Sequence, residues 1–504
     1  MANRALASAA IGVVIAAVAI SAARVPLQTR SSPSWLPLDV VVRVVSTMET
    51  EARPSLDQLA QQWRTGYAGM LLDLAELSRV PRSAALPPGS DAPASQRSGV
   101  RDAEEILRDG PDVEASPQPR PVSPVRSRLL RFLARATGQR FGDDFEKWHR
   151  WIWAQPYDPH PELADFKGRV YASIDPRMAD FFPAGAASSI RLDEIEWGGV
   201  VVNGIPPLVY PKTIPATQAQ YLRDNHVVFG IAVNGRARAY PKRILAWHEL
   251  ARDRVGGVEL TVVYCTLCGT VIPYDSIAGG RLRVLGTSGL LYRSNKLMFD
   301  EETKSLWSTL DGRPVVGQLV GSHAVLTPRA AVTTTWGEWR RRHPQTDVLS
   351  LETGYQRDYS EGAAYRDYFA TERLMFSVPT TDTRLSNKAE VLVMRLPTGA
   401  DRSQPIAIAA EFLARRPVYQ TRLADRDVVI VTSRAGANRA YDASGRKFVR
   451  LLPDDRLLDD QSVSWQVTED ALVADGLPPR PRLAAQRAFW FGWHAQFPDT
   501  ILIK

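Results

Sequence analysis

The chain of 504 residues contains only two cysteines, Cys265 and Cys268. Two cysteines exclude a disulfide-stapled scaffold, a zinc site made of four cysteines and an iron–sulfur cubane held within one chain. Histidine is also scarce, with seven residues in the whole sequence. A metal site at the cysteines would therefore have to take its other ligands from a few imidazoles or from another type of side chain.

Several functional motifs are absent as well. The sequence has no Walker loop, dinucleotide fingerprint, His-Glu-x-x-His pair, EF-hand loop or Gly-x-Ser-x-Gly elbow, so we expect no nucleotide cofactor. The net charge of +7 comes from 62 basic and 55 acidic residues spread over a long chain. No basic stripe interleaved with aromatic residues accompanies this charge, so we expect no nucleic-acid partner. The sequence does not identify a protein partner.

The overall composition is that of a soluble globular protein. Apolar residues make up 44% and charged residues 23% of the chain. These values exclude a wholly disordered chain, a collagen-like chain and a polytopic membrane protein. The length exceeds that of one ordinary domain, and it suggests about two to four folded units.

The first residues carry a membrane signal. Residues 5–23 contain no charge and lie between Arg4 and Arg24. At about 1.5 Å per residue, a helix of this length nearly covers a hydrocarbon core of about 30 Å. Residues 1–24 are therefore predicted to be a single-pass membrane anchor or a cleaved signal peptide. Either alternative places the rest of the chain outside the cytoplasm, in the periplasm or the extracellular space, and cleavage would make the protein secreted.

The chain then alternates between helical and linker composition. Residues 25–80 are predicted to be helical because apolar side chains recur every three or four residues between 38 and 79. Residues 81–124 are rich in proline, serine and glycine and are predicted to be a mostly disordered linker. Helix resumes over 125–186, where a basic amphipathic segment starts at Arg126. This segment is interpreted as docking on the folded core, with binding to anionic lipid as the alternative.

From about residue 187 onward, short β-rich runs alternate with turn residues. The sequence predicts an α+β fold with a mainly antiparallel β core and short helices. The core is divided into a first β unit over 187–380, which contains the two cysteines, and a second β unit over 381–504.

An internal repeat relates these two units. Residues 260–275 and 427–442 align as strand, turn and strand, and Gly269 falls on Gly436. In this alignment Cys265 and Cys268 fall on Thr432 and Ala435, so the second copy lacks the thiols. Chance similarity between two hairpins is the alternative explanation.

The cysteine pair lies between two predicted strands. In thioredoxin-like sites the Cys-x-x-Cys opens a helix, but Cys268 is followed by Gly-Thr-Val-Ile-Pro, in which β-branched residues and Pro273 disfavour helix. A turn of this type between strands is typical of a metal knuckle. A disulfide or redox-active dithiol and a pair of inert thiols are the alternatives.

Further ligands are sought among nearby residues. His248, in Trp247-His248-Glu249, is the best histidine candidate, and Met298 offers a thioether. Cysteine, histidine and methionine together suit copper, as Cu(I), better than zinc. Glu249 and Asp300 are weaker candidates for catalytic groups that move protons.

Several stretches together resemble a bacterial and archaeal family of unknown function, numbered 3179. The matching pieces run in order from about residue 221 to 498: Ala239-Tyr240-Pro241, Trp247-His248-Glu249, Tyr264-Cys265-Thr-Leu-Cys268-Gly269, Thr287-Ser288-Gly289-Leu-Leu-Tyr292, Met298-Phe-Asp300, Ser305-Leu-Trp307, His343-Pro344 and Phe489-Trp490-Phe-Gly-Trp493.

The resemblance gives little information about function. The family usually has proline after the first cysteine, where this chain has Thr266, and this difference leaves both thiols in place. Members are often exported or membrane-anchored, in keeping with residues 1–24. The family has no established activity, but the resemblance implies that His248, Glu249, Cys265, Cys268 and Met298 form one site.

Three functions compete at this point. The first is a binding module that holds copper or zinc at Cys265, Cys268, His248 and Met298. The second is an oxidoreductase that uses the same site. The third is a structural or interaction protein in which the cysteines form a disulfide. An enzyme would require a cavity beside the site.

The terminal segment generates the first testable prediction. Because residues 5–23 are uncharged and nearly long enough to span a bilayer, the protein is expected to fractionate with membranes, and external protease should reach its β units. Cell fractionation followed by immunoblotting measures this. A mature N-terminus near Arg24 would indicate cleavage, and recovery of the full-length chain from the cytosol would contradict both alternatives.

Overall fold

A computed structural model describes residues 34–78, 123–399 and 402–504. The predicted anchor or signal peptide at residues 1–24 and the predicted linker, apart from its last two residues, lie outside these ranges. Within these ranges no helix has both the length and the hydrophobicity needed to cross a membrane. Leu36–Lys504 cluster as one compact unit, and the predicted bounds of the segments inside it stay a prediction.

Helices dominate the described residues up to 172. Their bounds are α1 Leu38–Arg43, α2 Glu49–Gln61, α3 Tyr67–Leu77, α4 Pro124–Thr137, α5 Phe145–Trp153 and α6 Leu163–Ala172. The helix predicted over 38–79 is therefore divided into three. One break lies at Ser46, whose hydroxyl accepts a hydrogen bond from the Met48 N–H, and serine side chains compete with helix in this way. The other break lies just before Gly66.

The basic helix α4 docks on the folded protein. Pro124 opens it, and Gly138 ends it in the left-handed conformation, as is common at helix ends. Leu129 and Leu133 on its apolar face are fully buried. The Arg128 guanidinium donates hydrogen bonds to the carbonyl oxygens of Val44 and Ser46, at 2.8 and 2.6 Å. These contacts favour the docking interpretation of this segment over binding to lipid.

Short 3₁₀ helices and short strands follow. The 3₁₀ helices are Pro176–Phe181, Leu192–Glu194 and Ala216–Gln218. The strands before residue 350 are β1 Ile195–Trp197, β2 Leu208–Val209, β3 Thr213–Pro215, β4 Val227–Val233, β5 Arg236–Pro241, β6 Leu250–Val255, β7 Val258–Cys265, β8 Thr270–Asp275, β9 Ile277–Ala278, β10 Arg281–Leu282, β11 Leu285–Tyr292, β12 Asn295–Asp300, β13 Leu306–Ser308, β14 Pro314–Val316, β15 Val332–Thr335 and β16 Asp347–Leu349. The helices among and after them are α7 Lys242–His248, α8 Trp336–Arg342 and α9 Arg366–Phe369.

These strands form three larger sheets and the β9–β10 pair. The sheet orders are β15-β4-β5-β16-β3, β2-β6-β7-β8 and β1-β11-β12-β13-β14. Most pairs are antiparallel; the exceptions are β16 with β5 and β2 with β6. The β7–β8 hairpin pairs Cys265 with Thr270, so the turn at residues 266–269 holds the second cysteine.

A second group of strands begins at residue 390. Its strands are β17 Glu390–Pro397, β18 Ser403–Ala409, β19 Val418–Leu423, β20 Arg426–Thr432, β21 Asn438–Asp442, β22 Phe448–Leu452, β23 Arg456–Asp459, β24 Ser464–Val467, β25 Ala471–Val473, β26 Arg480–Pro481, β27 Ala485–Phe489 and β28 Ile501–Ile503. The sheet orders are β27-β17-β18-β28, β19-β20-β21 and β22-β23-β24-β25-β26, and the helices are α10 Ala410–Ala414 and α11 Trp490–Gln496. In both groups an antiparallel hairpin (β4–β5, β17–β18) has an antiparallel neighbour on one edge and a parallel neighbour on the other.

The two groups of strands interlock at the cysteine turn. The Phe489 N–H donates a hydrogen bond of 2.7 Å to the Cys268 carbonyl oxygen. Gly269, with φ of +62°, lies under the Phe489 ring, and an added Cβ would be 2.9 Å from Cε2 of that ring. Gly492 of α11 lies against Cys268, where an added Cβ would be 3.0 Å from the cysteine Cβ. The turn can approach β27 and α11 this closely because both glycines lack a side chain.

The predicted α+β class is confirmed, with mainly antiparallel pairing in the β part. The strands predicted at the cysteine hairpin correspond to β7 and β8, and the short helix predicted around Trp247 corresponds to α7. Short runs of apolar and β-branched residues make the strands readable in the sequence, and both strands are almost continuously buried.

The interlock generates the second testable prediction. Gly269→Ala combines a left-handed backbone, which costs about 1–2 kcal/mol, with overpacking against Phe489, which costs about 1–3 kcal/mol. Gly436→Ala is the matched control, because φ is +80° there and an added Cβ would meet no atom within 4 Å. Denaturant unfolding should show a clearly larger loss in the free energy of unfolding for Gly269→Ala than for Gly436→Ala. Equal losses for the two variants would mean that overpacking against Phe489 adds nothing to the cost of the substitution.

Candidate functional site

Cys265 and Cys268 are joined by a disulfide, with their Cα atoms 5.4 Å apart. Cys265 ends β7, and Cys268 lies in the turn that follows. The two residues are 1% and 0% exposed, so bulk solvent does not reach them. In this state the sulfurs are bonded to each other and do not serve as metal thiolates.

The polar atoms against the Cys268 sulfur are oxygens. Asn295 Oδ1 lies 2.7 Å and the Ser294 carbonyl oxygen 3.7 Å from Sγ. The orientation of the Asn295 amide is fixed, because its Nδ2 donates to the carbonyl oxygens of Arg293 and Gly492 at 3.0 and 3.1 Å. The amide oxygen therefore has to face the sulfur. In a metal knuckle, N–H donors would be expected at this position, so the oxygens do not match that interpretation.

His248 is fully buried at the end of α7. Its Nδ1 lies 2.8 Å from the Pro206 carbonyl oxygen, and its Nε2 lies 2.6 Å from the Tyr359 hydroxyl. Burial lowers the pKa of His248 to about 4, so the ring is neutral at pH 7 and has one N–H. Because a carbonyl oxygen only accepts, Nδ1 donates to Pro206 and Nε2 accepts from Tyr359. Both ring nitrogens are therefore occupied by protein groups.

Met298 and Asp300 lie further along β12. Met298 is paired in register with Trp307 and packs in the same hydrophobic cluster as that residue, whereas both cysteines belong to a different cluster. Asp300 accepts hydrogen bonds from the Thr303 N–H and the Trp307 indole, at 2.7 and 3.0 Å, which fix the turn after β12. The structure thus does not gather the predicted ligands at one point, and Asp300 has a structural role. Metal binding at the cysteines stays a prediction.

Glu249, by contrast, lies in a buried polar group next to the cysteine hairpin. One carboxylate oxygen accepts a hydrogen bond of 3.1 Å from the Tyr365 hydroxyl, and the other lies 3.4 Å from Lys296 Nζ. The Lys296 ammonium also donates to the carbonyl oxygens of Glu249 and Tyr264, at 2.8 and 3.2 Å. Burial lowers the pKa of Lys296, and the neighbouring carboxylate opposes this effect.

Unusual backbone surrounds this group. Glu249 has φ of +55° and Tyr365 has φ of +56°, a region that costs a non-glycine residue of order 1–3 kcal/mol. Strand β11 has an irregular register against β12 between Thr287 and Leu291. Irregularities of this kind redirect side chains and are common beside functional sites.

A cavity of about 40 Å³ opens beside Glu249, Lys296 and Tyr365. This volume is enough for a few water molecules or a very small polar ligand. Leu267, which lies between the two cysteines, also lines the cavity, as do Gly198, Val200, Ile205, Thr287, Gly289, Leu290, Leu291, Met375 and Phe376. The arrangement provides a carboxylate, an ammonium and a phenol that can exchange protons within one buried space.

Sequence reasoning missed Asn295, Lys296 and Tyr365. Asn295 and Lys296 open β12, three and two residues before Met298, and no motif marks them. Tyr365 is 116 residues from Glu249 along the chain, so no local pattern connects the two.

The fold thus defines a site of one class, a buried cysteine pair next to a small cavity that contains a few polar groups, in a mainly antiparallel β fold. The model of DUF3179, described as a protein of unknown function, matches residues 202–500, and the chain belongs to this family. The predicted family resemblance is thereby confirmed. No curated protein and no solved structure matches the chain.

The buried ion pair generates the third testable prediction. Lys296→Met removes the cation next to a buried carboxylate and should lower the free energy of unfolding by about 3–5 kcal/mol. Adding Glu249→Gln should recover part of this loss, because the uncompensated charge is then gone. A denaturant-based double-mutant cycle measures the coupling between the two residues.

Lys212 and Glu352 provide the matched control pair. Their side chains are 57% and 73% exposed, so solvent screens their attraction, and the coupling should be at most about 1 kcal/mol. Additive effects of Lys296→Met and Glu249→Gln would show that these buried groups do not act as a pair.

Proposed function

We propose that this chain is an extracytoplasmic thiol–disulfide oxidoreductase whose redox pair is Cys265 and Cys268. The observation that carries the proposal is the orientation of Asn295, whose amide oxygen faces the Cys268 sulfur at 2.7 Å. A disulfide sulfur has no proton to donate, so this acceptor is satisfied only when Cys268 is a thiol. The oxygens around the Cys268 sulfur therefore suit the reduced thiol, although the two cysteines form a disulfide in this structure.

The redox step is a two-electron exchange. Two electrons and two protons convert the Cys265–Cys268 disulfide into two thiols, and the Cys268 S–H then donates to Asn295 Oδ1. The co-reactant is a small-molecule thiol, of which two molecules are consumed. The first attacks the protein disulfide to form a mixed disulfide, and the second displaces the protein thiol, so that one small-molecule disulfide leaves and two electrons and two protons pass to the cysteines. Oxygen acceptors disfavour a thiolate at Cys268, and this supports a redox role over a soft-metal site holding copper or zinc.

The burial of both cysteines favours a small co-reactant. At 1% and 0% exposure, the sulfurs are out of reach of a rigid protein partner. The cavity beside Leu267 is lined by Leu267 and not by the cysteines themselves, and Glu249, Lys296 and Tyr365 provide groups there that exchange protons with water or a very small ligand. These three residues are assigned to proton handling in the proposed function.

The proposed location outside the cytoplasm rests on residues 1–24. Their uncharged run supports export, with either a retained anchor or a cleaved signal peptide. Disulfides persist in oxidising compartments and are rare in the cytosol, so an oxidised pair agrees with export.

We also infer that the two β units arose by duplication. Support comes from the matching order of β15-β4-β5-β16 and β27-β17-β18-β28. Further support comes from two hairpins in which a buried aspartate accepts from a tryptophan indole at 3.0 Å, Asp300 with Trp307 and Asp459 with Trp465. Under this inference the second unit retains the scaffold without the thiols.

The fourth testable prediction concerns the redox equilibrium. Removal of the acceptor in Asn295→Ala should shift the equilibrium toward the disulfide, because only the thiol state loses a hydrogen bond to sulfur. A net hydrogen bond of about 1 kcal/mol corresponds to a shift of about 20 mV, or about fivefold, for a two-electron couple. Thiol counting by mass spectrometry after equilibration in dithiothreitol buffers of graded potential measures this.

The control is Asn438→Ala. Asn438 is a buried amide at the corresponding turn of the second unit and donates to Thr432 Oγ1 at 3.0 Å. This variant should leave the equilibrium unchanged. If the pair is reduced only when the chain unfolds, the disulfide is structural and the oxidoreductase proposal fails. The soft-metal alternative would instead be supported if the reduced protein binds one equivalent of Cu(I) or zinc and the variant with both Cys265→Ser and Cys268→Ser does not.

A further inference from the structure

A second buried polar cluster lies in the helical region, outside the residues matched by the family model. Glu76 of α3, His149 of α5 and Glu196 of β1 each place one ligand atom within 4.8 Å of the others. These residues come from three separate elements, so the tertiary fold alone brings them together. None of them takes part in the cysteine site.

A buried cation of this region, Lys167, is already paired with another carboxylate. Lys167 Nζ lies 2.8 Å from an oxygen of Asp73 and donates a hydrogen bond of 2.8 Å to the Ile195 carbonyl oxygen. Its charge therefore offsets that of Asp73. The carboxylate of Glu196 is buried in the same region.

Glu196 supplies the observation that points to a ligand. The residue is 7% exposed, and one carboxylate oxygen, Oε1, lies 3.3 Å from His149 Nδ1. The other oxygen, Oε2, is buried and has no hydrogen-bond partner among the described residues. A buried carboxylate oxygen without a partner is costly, and a bound cation is one way to satisfy it.

His149 is held in position by its surroundings. Its ring stacks on Trp153 with the centroids 4.7 Å apart, and its Nδ1 lies 3.1 Å from the Ser377 hydroxyl. A fixed imidazole beside two carboxylates is a suitable donor set for a divalent transition metal.

We propose that Glu76, His149 and Glu196 bind one divalent transition-metal ion, with zinc the ion that best fits this donor set. Imidazole nitrogen and carboxylate oxygens are both common zinc ligands, and the ion would give Glu196 Oε2 the partner that it lacks among the described residues. Because the ligands come from α3, α5 and β1, the ion joins the helical region to the start of the β part. This site is independent of the proposed redox function and has harder ligands than a pair of thiols.

The experiment uses the full-length chain stripped with EDTA and then titrated with ZnCl₂ by calorimetry. Wild type is expected to bind one zinc ion per chain. Glu196→Gln keeps the shape of the side chain and removes its charge, and it should weaken zinc binding at least tenfold. The melting temperature of wild type should rise with zinc, whereas that of Glu196→Gln should not.

Two controls separate this site from others. His160→Gln changes another buried histidine of the same region, which contacts the Leu36 carbonyl oxygen, and it should bind zinc like wild type. Cys265→Ser with Cys268→Ser should also bind like wild type, so failure of the redox proposal leaves this test intact. If Glu196→Gln does not fold, Glu76→Gln, at a less buried position, takes its place with the same expected loss.

Absence of zinc binding in wild type, or equal affinity in wild type and the Glu196→Gln or Glu76→Gln variant, would overturn the proposal. Loss of zinc in the double serine variant would also overturn it, because the metal would then belong to the cysteines. Retained binding in that variant, together with loss in Glu196→Gln, supports it.

Discussion

The rest of the β part depends on one constraint. The Cys265–Cys268 turn lies in close contact with the junction between strand β27 and helix α11, at Phe489 and Gly492. The Phe489 N–H binds the Cys268 carbonyl oxygen at 2.7 Å, and the Gly492 carbonyl oxygen accepts from Asn295. This contact joins residues about 200 positions apart along the chain. It fixes the cysteines, orients the Asn295 amide toward sulfur and places Leu267 at the wall of the cavity.

Burial of polar groups requires compensating contacts, and the structure provides them in different ways at its two polar centres. Near the cysteines, Lys296 is satisfied by two carbonyl oxygens and by Glu249, which also receives the Tyr365 hydroxyl. In the helical region, Lys167 is paired with Asp73, but Glu196 Oε2 has no hydrogen-bond partner in the described part of the chain. The first centre is therefore a closed network beside a cavity, and the second has the electrostatic features of a cation site.

The proposed duplication bears on the role of the thiols. Under that proposal, the β20–β21 hairpin is the counterpart of the cysteine hairpin, and there Thr432 is paired with Asn438 across a turn that contains Gly436 and no sulfur. The disulfide would then be an addition to a turn that other residues also form, which is an argument for chemistry over simple bracing as the reason for the cysteine pair.

The sequence by itself determined the α+β class, the strand–turn–strand context of the cysteines, the short helix at Trp247 and the family, because these depend on local periodicity and contiguous motifs. It also identified Glu249 as a polar residue of interest. Only the tertiary structure decided the partners of His248, the packing of Met298 away from the cysteines and the contribution of Tyr365. Contacts between residues 100 or more positions apart along the chain depend on how sheets and loops pack. The periodicity of one segment contains no information about the side chains that a distant segment places against it.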